Sequence, residues 1–284
     1  MARSRDWLAL YASPELTPRF SILNPRFSIL YPPSLVPRIA VQNFKIKIQY
    51  DGTDYHGWQL QANERTIQGE LTRVLSLFDE REVTVHGAGR TDAGVHAEGQ
   101  VASFFLKRSF EPHLLRDAIN GNLHRDVRVV EAEAVDDAFH ARFLAKGKFY
   151  RYRIWNGAVV PPFVVRYVYH HRDPLDIGAM WLASAALVGR HDFSAFTGAG
   201  AEAEDHVRVL TRLDVVEKGS EIWIEVEAEG FLRYMVRTIA GTLIEVGRGR
   251  RTASSIGDVL ESRDRDRAGP TVSAAGLTLI RVDY

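Results

Sequence analysis

The chain of 284 residues contains no cysteine, which excludes disulfides and thiolate metal sites. It has no net charge, with 36 basic against 36 acidic side chains, so no global field draws it to a polyanion. Apolar runs stay short of the roughly 18 residues a membrane span requires. No uninterrupted apolar segment follows the opening Met-Ala-Arg-Ser-Arg-Asp before Pro14, which argues against a secretory leader. A cytoplasmic protein is the expectation. Proline is scarce beyond residue 42, because six of the eleven prolines fall within residues 1–42. Pro-Arg-Phe-Ser-Ile-Leu occurs twice there, at 18–23 and 25–30, a duplication too short for a repeat array. Proline at this density excludes a long helix or a central strand, so residues 1–42 read as a poorly ordered extension.

That extension holds five arginines against Asp6 and Glu15, leaving 31 basic and 34 acidic side chains in the remainder. If the body binds a polyanion, its positive charge must be gathered on one face.

What is present beyond residue 42 is regular. Phe44, Ile46, Ile48 and Tyr50 alternate with Lys45, Lys47 and Gln49, the pattern of a strand with one wet face. Asp51-Gly52-Thr53 ends it with turn chemistry. Thr66 is placed to cap a helix carrying Ile67, Leu71, Val74, Leu75 and Phe78 on one face. Strands are expected at Val83–His86, Val101–Phe105 and Val127–Val135, with a helix over Pro112–Asn120. The second half reads similarly, with strands at Lys148–Trp155 and Val164–His170 and a helix over Leu175–Val188. Strands at Val209–Val216 and Glu221–Ala228 follow. A helix marked by Leu232, Met235, Val236, Ile239 and Leu243, a shorter one at Ala253–Ser262, and a strand at Leu277–Val282 complete it. The order predicts an α+β fold of two related split-βαβ (ferredoxin-like) halves, 43–140 and 141–284, around a mostly antiparallel sheet. Residues 188–207, with Thr197-Gly198-Ala199-Gly200, lack periodicity and read as a mobile loop.

One loop concentrates chemistry. Gly87-Ala88-Gly89-Arg90-Thr91-Asp92-Ala93-Gly94-Val95-His96-Ala97 joins two strands, and its glycines permit close backbone approach. Consecutive Arg, Thr and Asp flanked by small residues leave a carboxylate accessible. A catalytic loop and a well-turned structural loop both fit that description.

Gly-Arg-Thr-Asp-Ala-Gly-Val-His-Ala resembles the catalytic motif of the tRNA pseudouridine synthase A (tRNA pseudouridine(38-40) synthase) family. Four further segments resemble that family in order: Tyr50-Asp51-Gly52-Thr53-Asp54-Tyr55-His56-Gly57-Trp58-Gln59, Phe139-His140-Ala141-Arg142-Phe143, Tyr150-Arg151-Tyr152 and Phe231-Leu232-Arg233-Tyr234-Met235-Val236-Arg237. The resemblance runs from about residue 44 to 282. It implies the pseudouridine synthase fold and an isomerase that detaches uracil from its ribose, rotates it and rejoins it through C5. Asp92 matches the nucleophile; attack on the sugar C1′ and on uracil C6 both remain open. Arg237 matches the cation that would keep Asp92 ionised, and Tyr150 matches the tyrosine that stacks on the target base. Arg90 and Thr91 are expected to contact RNA, although either arginine could instead bind phosphate or cap loop carbonyls. The resemblance further implies tRNA anticodon stem-loops as substrate, a homodimer and no cofactor.

Positive charge recurs near these motifs, at Arg142, Lys146, Lys148, Arg151 and Arg153, at Arg233 and Arg237, and at Arg248, Arg250 and Arg251. Arg233 and Arg237 are expected to share a helix face. No metal is expected, since His170-His171 alternate faces on a strand and no third ligand stands at a recognisable spacing. Gly87, Gly89 and Gly94 precede a strand rather than a helix, and Gly247-Arg248-Gly249-Arg250 lacks the lysine of a phosphate loop, so no nucleotide cofactor is expected. The alternative is a non-catalytic RNA-binding module, where strand aromatics stack bases; a carboxylate in its groove would repel phosphate.

Overall fold

Alternation sets the first strand as expected. In the computed structural model, which describes residues 41–198 and 205–284, β1 (Gln42–Tyr50) buries Phe44, Ile46, Ile48 and Tyr50. It turns Lys45 and Lys47 outward to pair with Glu133 and Glu131 on β4 (Val127–Val135). The expected extension lies outside the described residues, apart from its last two positions. Helix α1 (Ile67–Asp79) starts where Thr66 Oγ1 accepts from the amide of Gly69, and Ile67, Leu71, Val74 and Leu75 are buried. The half is completed by β2 (His86–Gly87), β3 (His96–Leu106) and α2 (Pro112–Asn122), the last opening on a proline whose missing N–H costs nothing there.

The second half comprises β5 (Gly147–Asn156), β6 (Tyr169–His171), α3 (Ile177–Ser184), β7 (Gly189–Asp192), β8 (Val207–Lys218), β9 (Glu221–Ala228), α4 (Met235–Gly247), α5 (Ser255–Ser262) and β10 (Leu277–Asp283). One sheet carries both halves in the order β4-β1-β3-β10-β5-β9-β8-β7, with β2 added to β3 and β6 to β5. Its pairs are antiparallel except β3 with β10 and β5 with β6. Within the first half the order is β4-β1-β3-β2, and within the second it is β10-β5-β9-β8. With β6, β7 and α5 set aside as additions to the second half, each is strand, helix, two strands, helix, strand, with the first strand between the last and the third. This is the split-βαβ plan twice over, so the α+β expectation holds. The final strand joins the halves: Thr278 and Leu279 pair with His96 and Ala97 of β3, and Leu277–Asp283 runs beside β5.

Several expected elements differ for identifiable reasons. The strand over Val83–His86 shrinks to His86–Gly87, because side chains serve its backbone: Ser76 Oγ accepts from Val83 N, and Gln68 Nε2 donates to Val85 O. Conversely β3 starts five residues before Val101, since buried His96 and Gln100 interrupt the apolar signal. The expected strand over Val164–His170 is a 3-10 turn at Val165–Tyr167 followed by β6. Asp176 caps α3, which therefore starts two residues after Leu175 and tightens into a 3-10 turn at Ala185–Leu187. The stretch read as a mobile loop contains β7 and a 3-10 turn at Ser194–Phe196, with Phe193 and Phe196 fully buried; Ala199 and Gly200 lie outside the described residues. Helix α4 starts at Met235, because Tyr234 adopts the left-handed conformation with φ +63°. Arg233 therefore precedes the helix and does not share a face with Arg237.

Candidate active site

The loop between β2 and β3 is held from several sides. Ala88 N donates to Val101 O at 2.8 Å, and Gln100 Nε2 donates to Gly89 O at 3.0 Å. The hydroxyls of Tyr50 and Thr91 are 2.8 Å apart, while Trp58 N donates to Thr91 O and Gly94 N to Tyr55 O. Gly57 sits at φ +87°, and a Cβ there would lie 2.6 Å from Thr91 O, so only glycine lets this backbone press against the loop. The Tyr50–Gln59 segment is thus the clamp of the Gly87–Ala97 loop.

The clamped loop presents Asp92. Its Oδ2 accepts from Nη1 of Arg237 at 3.1 Å, whereas Oδ1 accepts no hydrogen bond from the described residues. Arg237 stands in the first turn of α4, its Nε donating to Val272 O at 2.8 Å and its guanidinium 5.1 Å from the Tyr234 ring centroid. Backbone carbonyl and ring together aim the guanidinium at the carboxylate. Burial raises the Asp92 carboxyl above its ordinary range, and the opposing pull of Arg237, with a smaller one from Arg233, does not cancel it. Arg237 acts in the expected direction by lowering this carboxyl, and the net rise is what burial adds against it.

Tyr150 shares a face of β5 with Tyr152 and Ile154, as alternation predicts, and all three are buried. Its ring meets Phe231 edge-on, with centroids 5.0 Å apart and an interplanar angle of 84°. Burial also raises its hydroxyl above the ordinary tyrosine range. Thr91 is buried with its hydroxyl turned to Tyr50. Arg90 reaches the rim, where Nε donates to Gln59 Oε1 at 3.0 Å.

All five residues line one cleft of about 890 Å³. Six Arg and Lys side chains face it: Arg90, Arg142, Lys148, Arg208, Arg233 and Arg237. Among the described residues the lining carboxylates are Asp92 and Glu229. A chain without net charge thus concentrates positive charge in its cleft. Arg151 and Arg153, counted in sequence with that cluster, do not join it. They point to the opposite face of β5 and pair with Glu225 at 2.7 Å and Glu221 at 2.6 Å on β9. Glu225 and Glu221, distant in sequence from these arginines, stand beside them in the sheet.

Two lining residues escaped sequence reasoning. Tyr234 carries positive φ, an outlier for a bulky side chain, and its ring lies against both Arg233 and Arg237; nothing in the sequence signals such a conformation. Lys148 was counted only as charge, although the alternation that places Tyr150 puts Lys148 on the same face two residues earlier. Among the described residues no group of three His, Asp or Glu side chains could hold a metal ion, and no helix is long and apolar enough to cross a membrane.

The sequence profile described as tRNA pseudouridine synthase matches residues 46–144 and 183–284. The chain belongs to the tRNA pseudouridine synthase family. The segment carrying Tyr150 falls between the two matched stretches, but full-length relatives span it. The tRNA pseudouridine synthase A of Halalkalibacterium halodurans is 44% identical over 233 residues, covering 82% of this chain and 89% of the relative. That of Methylobacterium sp. (strain 4-46) is 46% identical over 242 residues, covering 85% and 97%. That of Brevibacillus brevis is 41% identical over 244 residues, covering 86% and 100%. The α+β architecture and the family agree.

Proposed function

We propose that this chain isomerises uridines in the anticodon stem-loop of tRNA, with Asp92 as nucleophile and no cofactor. The observation that carries the reading is the Asp92–Arg237 pair in a cleft lined by six cationic side chains. Asp92 uses Oδ2 to hold the arginine and keeps Oδ1 for the substrate. An ionised carboxylate needs no separate base to attack, and both attack on C1′ and attack on C6 begin from it. In either route the N1–C1′ bond breaks, the uracil turns, a C5–C1′ bond forms, and C5 loses the proton that N1 gains. Tyr150 lies on the cleft wall, where its ring supports stacking against a uracil that has left its neighbours. Arg90 at the rim suits a backbone contact, and Thr91 contributes by fixing the loop against Tyr50.

A non-catalytic RNA-binding module fits less well, since it would have no use for a half-buried carboxylate beneath its phosphate-binding wall. The homodimer and the cytoplasmic location belong to this proposal through the family resemblance. The test is tritium release from C5-labelled bulk tRNA by the purified chain, compared with Asp92→Asn. Release by the wild type and none by the variant is expected. Equal release by both would remove Asp92 from the mechanism, and no release by either would remove the activity.

A further inference from the structure

Lys148 is a charged side chain that the chemistry above leaves unused. It stands on β5 two residues before Tyr150, on the same face, and lines the same cleft. Its ammonium reaches the catalytic loop: a Cβ placed on Gly89 would lie 3.0 Å from Nζ. Glycine at 89 therefore makes room for the lysine. Lys148 has no hydrogen bond or ion pair among the described residues. An ammonium withdrawn from water without a partner is costly, and burial, followed by the repulsion of Arg142, pushes Lys148 below the ordinary lysine range. A site that keeps such a charge is complementary to an anion that arrives from outside.

The neighbours have the same character. His140 Nδ1 accepts from the amide of Arg142 at 3.1 Å, so the neutral ring carries its proton on Nε2 and can donate. Burial first, then His86 and Arg142, holds His140 below the ordinary histidine range, so it is a neutral donor at pH 7. Its ring is fixed beside His86, with centroids 4.6 Å apart, and stacked on Phe143 at 4.2 Å. His140, Arg142 and Lys148 all line the cleft that holds Asp92. An ammonium, a guanidinium and a neutral imidazole suit a singly charged tetrahedral oxyanion.

We infer that Lys148, Arg142 and His140 form a subsite for one backbone phosphodiester next to the target uridine. The inference rests on the RNA-modifying function proposed above and adds a defined contact to it. Phosphate contacts fix register rather than read sequence. This one would set how far the extruded nucleotide reaches toward Asp92.

The probe is a uridine-containing anticodon stem-loop in which each linkage flanking the uridine is replaced, one at a time, by an uncharged methylphosphonate. For the wild type, one such linkage should weaken binding by about tenfold, the range of a hydrogen bond to a charged group. Lys148→Met should weaken binding to the unmodified stem-loop similarly and become indifferent to that linkage, while Lys148→Arg retains sensitivity. Should Lys148→Met fail to fold, Arg142→Met on the exposed side of the subsite should show the same coupling. Additive losses for Lys148→Met, or for Arg142→Met in its place, at every linkage would overturn the subsite. Absence of pseudouridine in the unmodified stem-loop with the wild type would instead overturn the function on which it rests. Pseudouridine formation with additive losses would overturn the subsite alone.

Discussion

Nη1 of Arg237, in the first turn of α4, lies 3.1 Å from Oδ2 of Asp92 in the loop before β3. The contact crosses from one half of the fold to the other. Burial already raises this carboxyl, so removing the guanidinium should raise it further. Arg237→Met is expected to cut the single-turnover rate on the order of 100-fold at pH 6. The loss should shrink as the pH rises and the carboxylate ionises again. Arg237→Lys should rescue in part, lacking the planar fork. Single-turnover rates across pH, paired with tRNA binding across salt, separate this from a phosphate-binding role. Weakened binding at an unchanged rate would count against it.

Asp92→Asn should lose at least about 10⁴-fold in turnover, as removal of a nucleophile does, yet gain stability. The sign follows from the raised carboxyl. The native chain binds this proton more tightly than the unfolded chain, so stability falls as pH climbs from the unfolded value to the native one. Asparagine never ionises and escapes that fall. Its advantage in melting temperature should be absent below the unfolded carboxylate pKa of about 3.9. It should grow with pH and level off above the native value. A variant less stable than wild type at neutral pH would contradict the burial argument.

The Tyr50 hydroxyl is fully buried and its pKa is pushed up to about 12, chiefly by that burial. It holds Thr91 at 2.8 Å. Tyr50→Phe leaves the Thr91 hydroxyl without this partner, at a cost of about 1–3 kcal/mol. Turnover should fall more than tRNA affinity, because the loop bearing Asp92 loosens while the cationic cleft is unaltered. Chemical denaturation and single-turnover kinetics on one preparation check both statements.

Arg153→Gln should leave tRNA affinity and its salt dependence unchanged. The guanidinium is committed to Glu221 on the face away from the cleft. Binding titrations at several salt concentrations decide this. A slope smaller by about one unit would place RNA on that face as well.

The sequence disclosed elements whose side-chain period matched their backbone period. β1 and α1 were legible because apolar residues recur at the strand and helix spacing and Thr66 caps the helix. Elements became obscure where polar side chains replaced backbone partners. Ser76 and Gln68 dissolve the strand expected before His86, and Gln100, with its amide spent on Gly89 O, disguises the first half of β3. The site divides in the same way. Asp92, Arg237 and Tyr150 were reached through motif resemblance. Their convergence depends on pairings between residues more than a hundred positions apart, which no local pattern encodes. The ion pairs of Arg151 and Arg153 span fewer positions but are equally hidden from local pattern, since only strand register brings Glu225 and Glu221 beside them.

The position of β10 bears on when activity can arise. The strand that seats the Asp92 half against the Arg237 half is the last in chain order. A nascent polypeptide acquires Asp92 early and Arg237 much later, but the segment that joins the two halves of the sheet only with residues 277–283. A chain synthesised only as far as residue 276 therefore carries Asp92 and Arg237 without the strand that joins their halves. A frameshift or stop codon shortly before Leu277 would spare Asp92, Tyr150 and Arg237 and still remove the strand that joins the halves of the sheet.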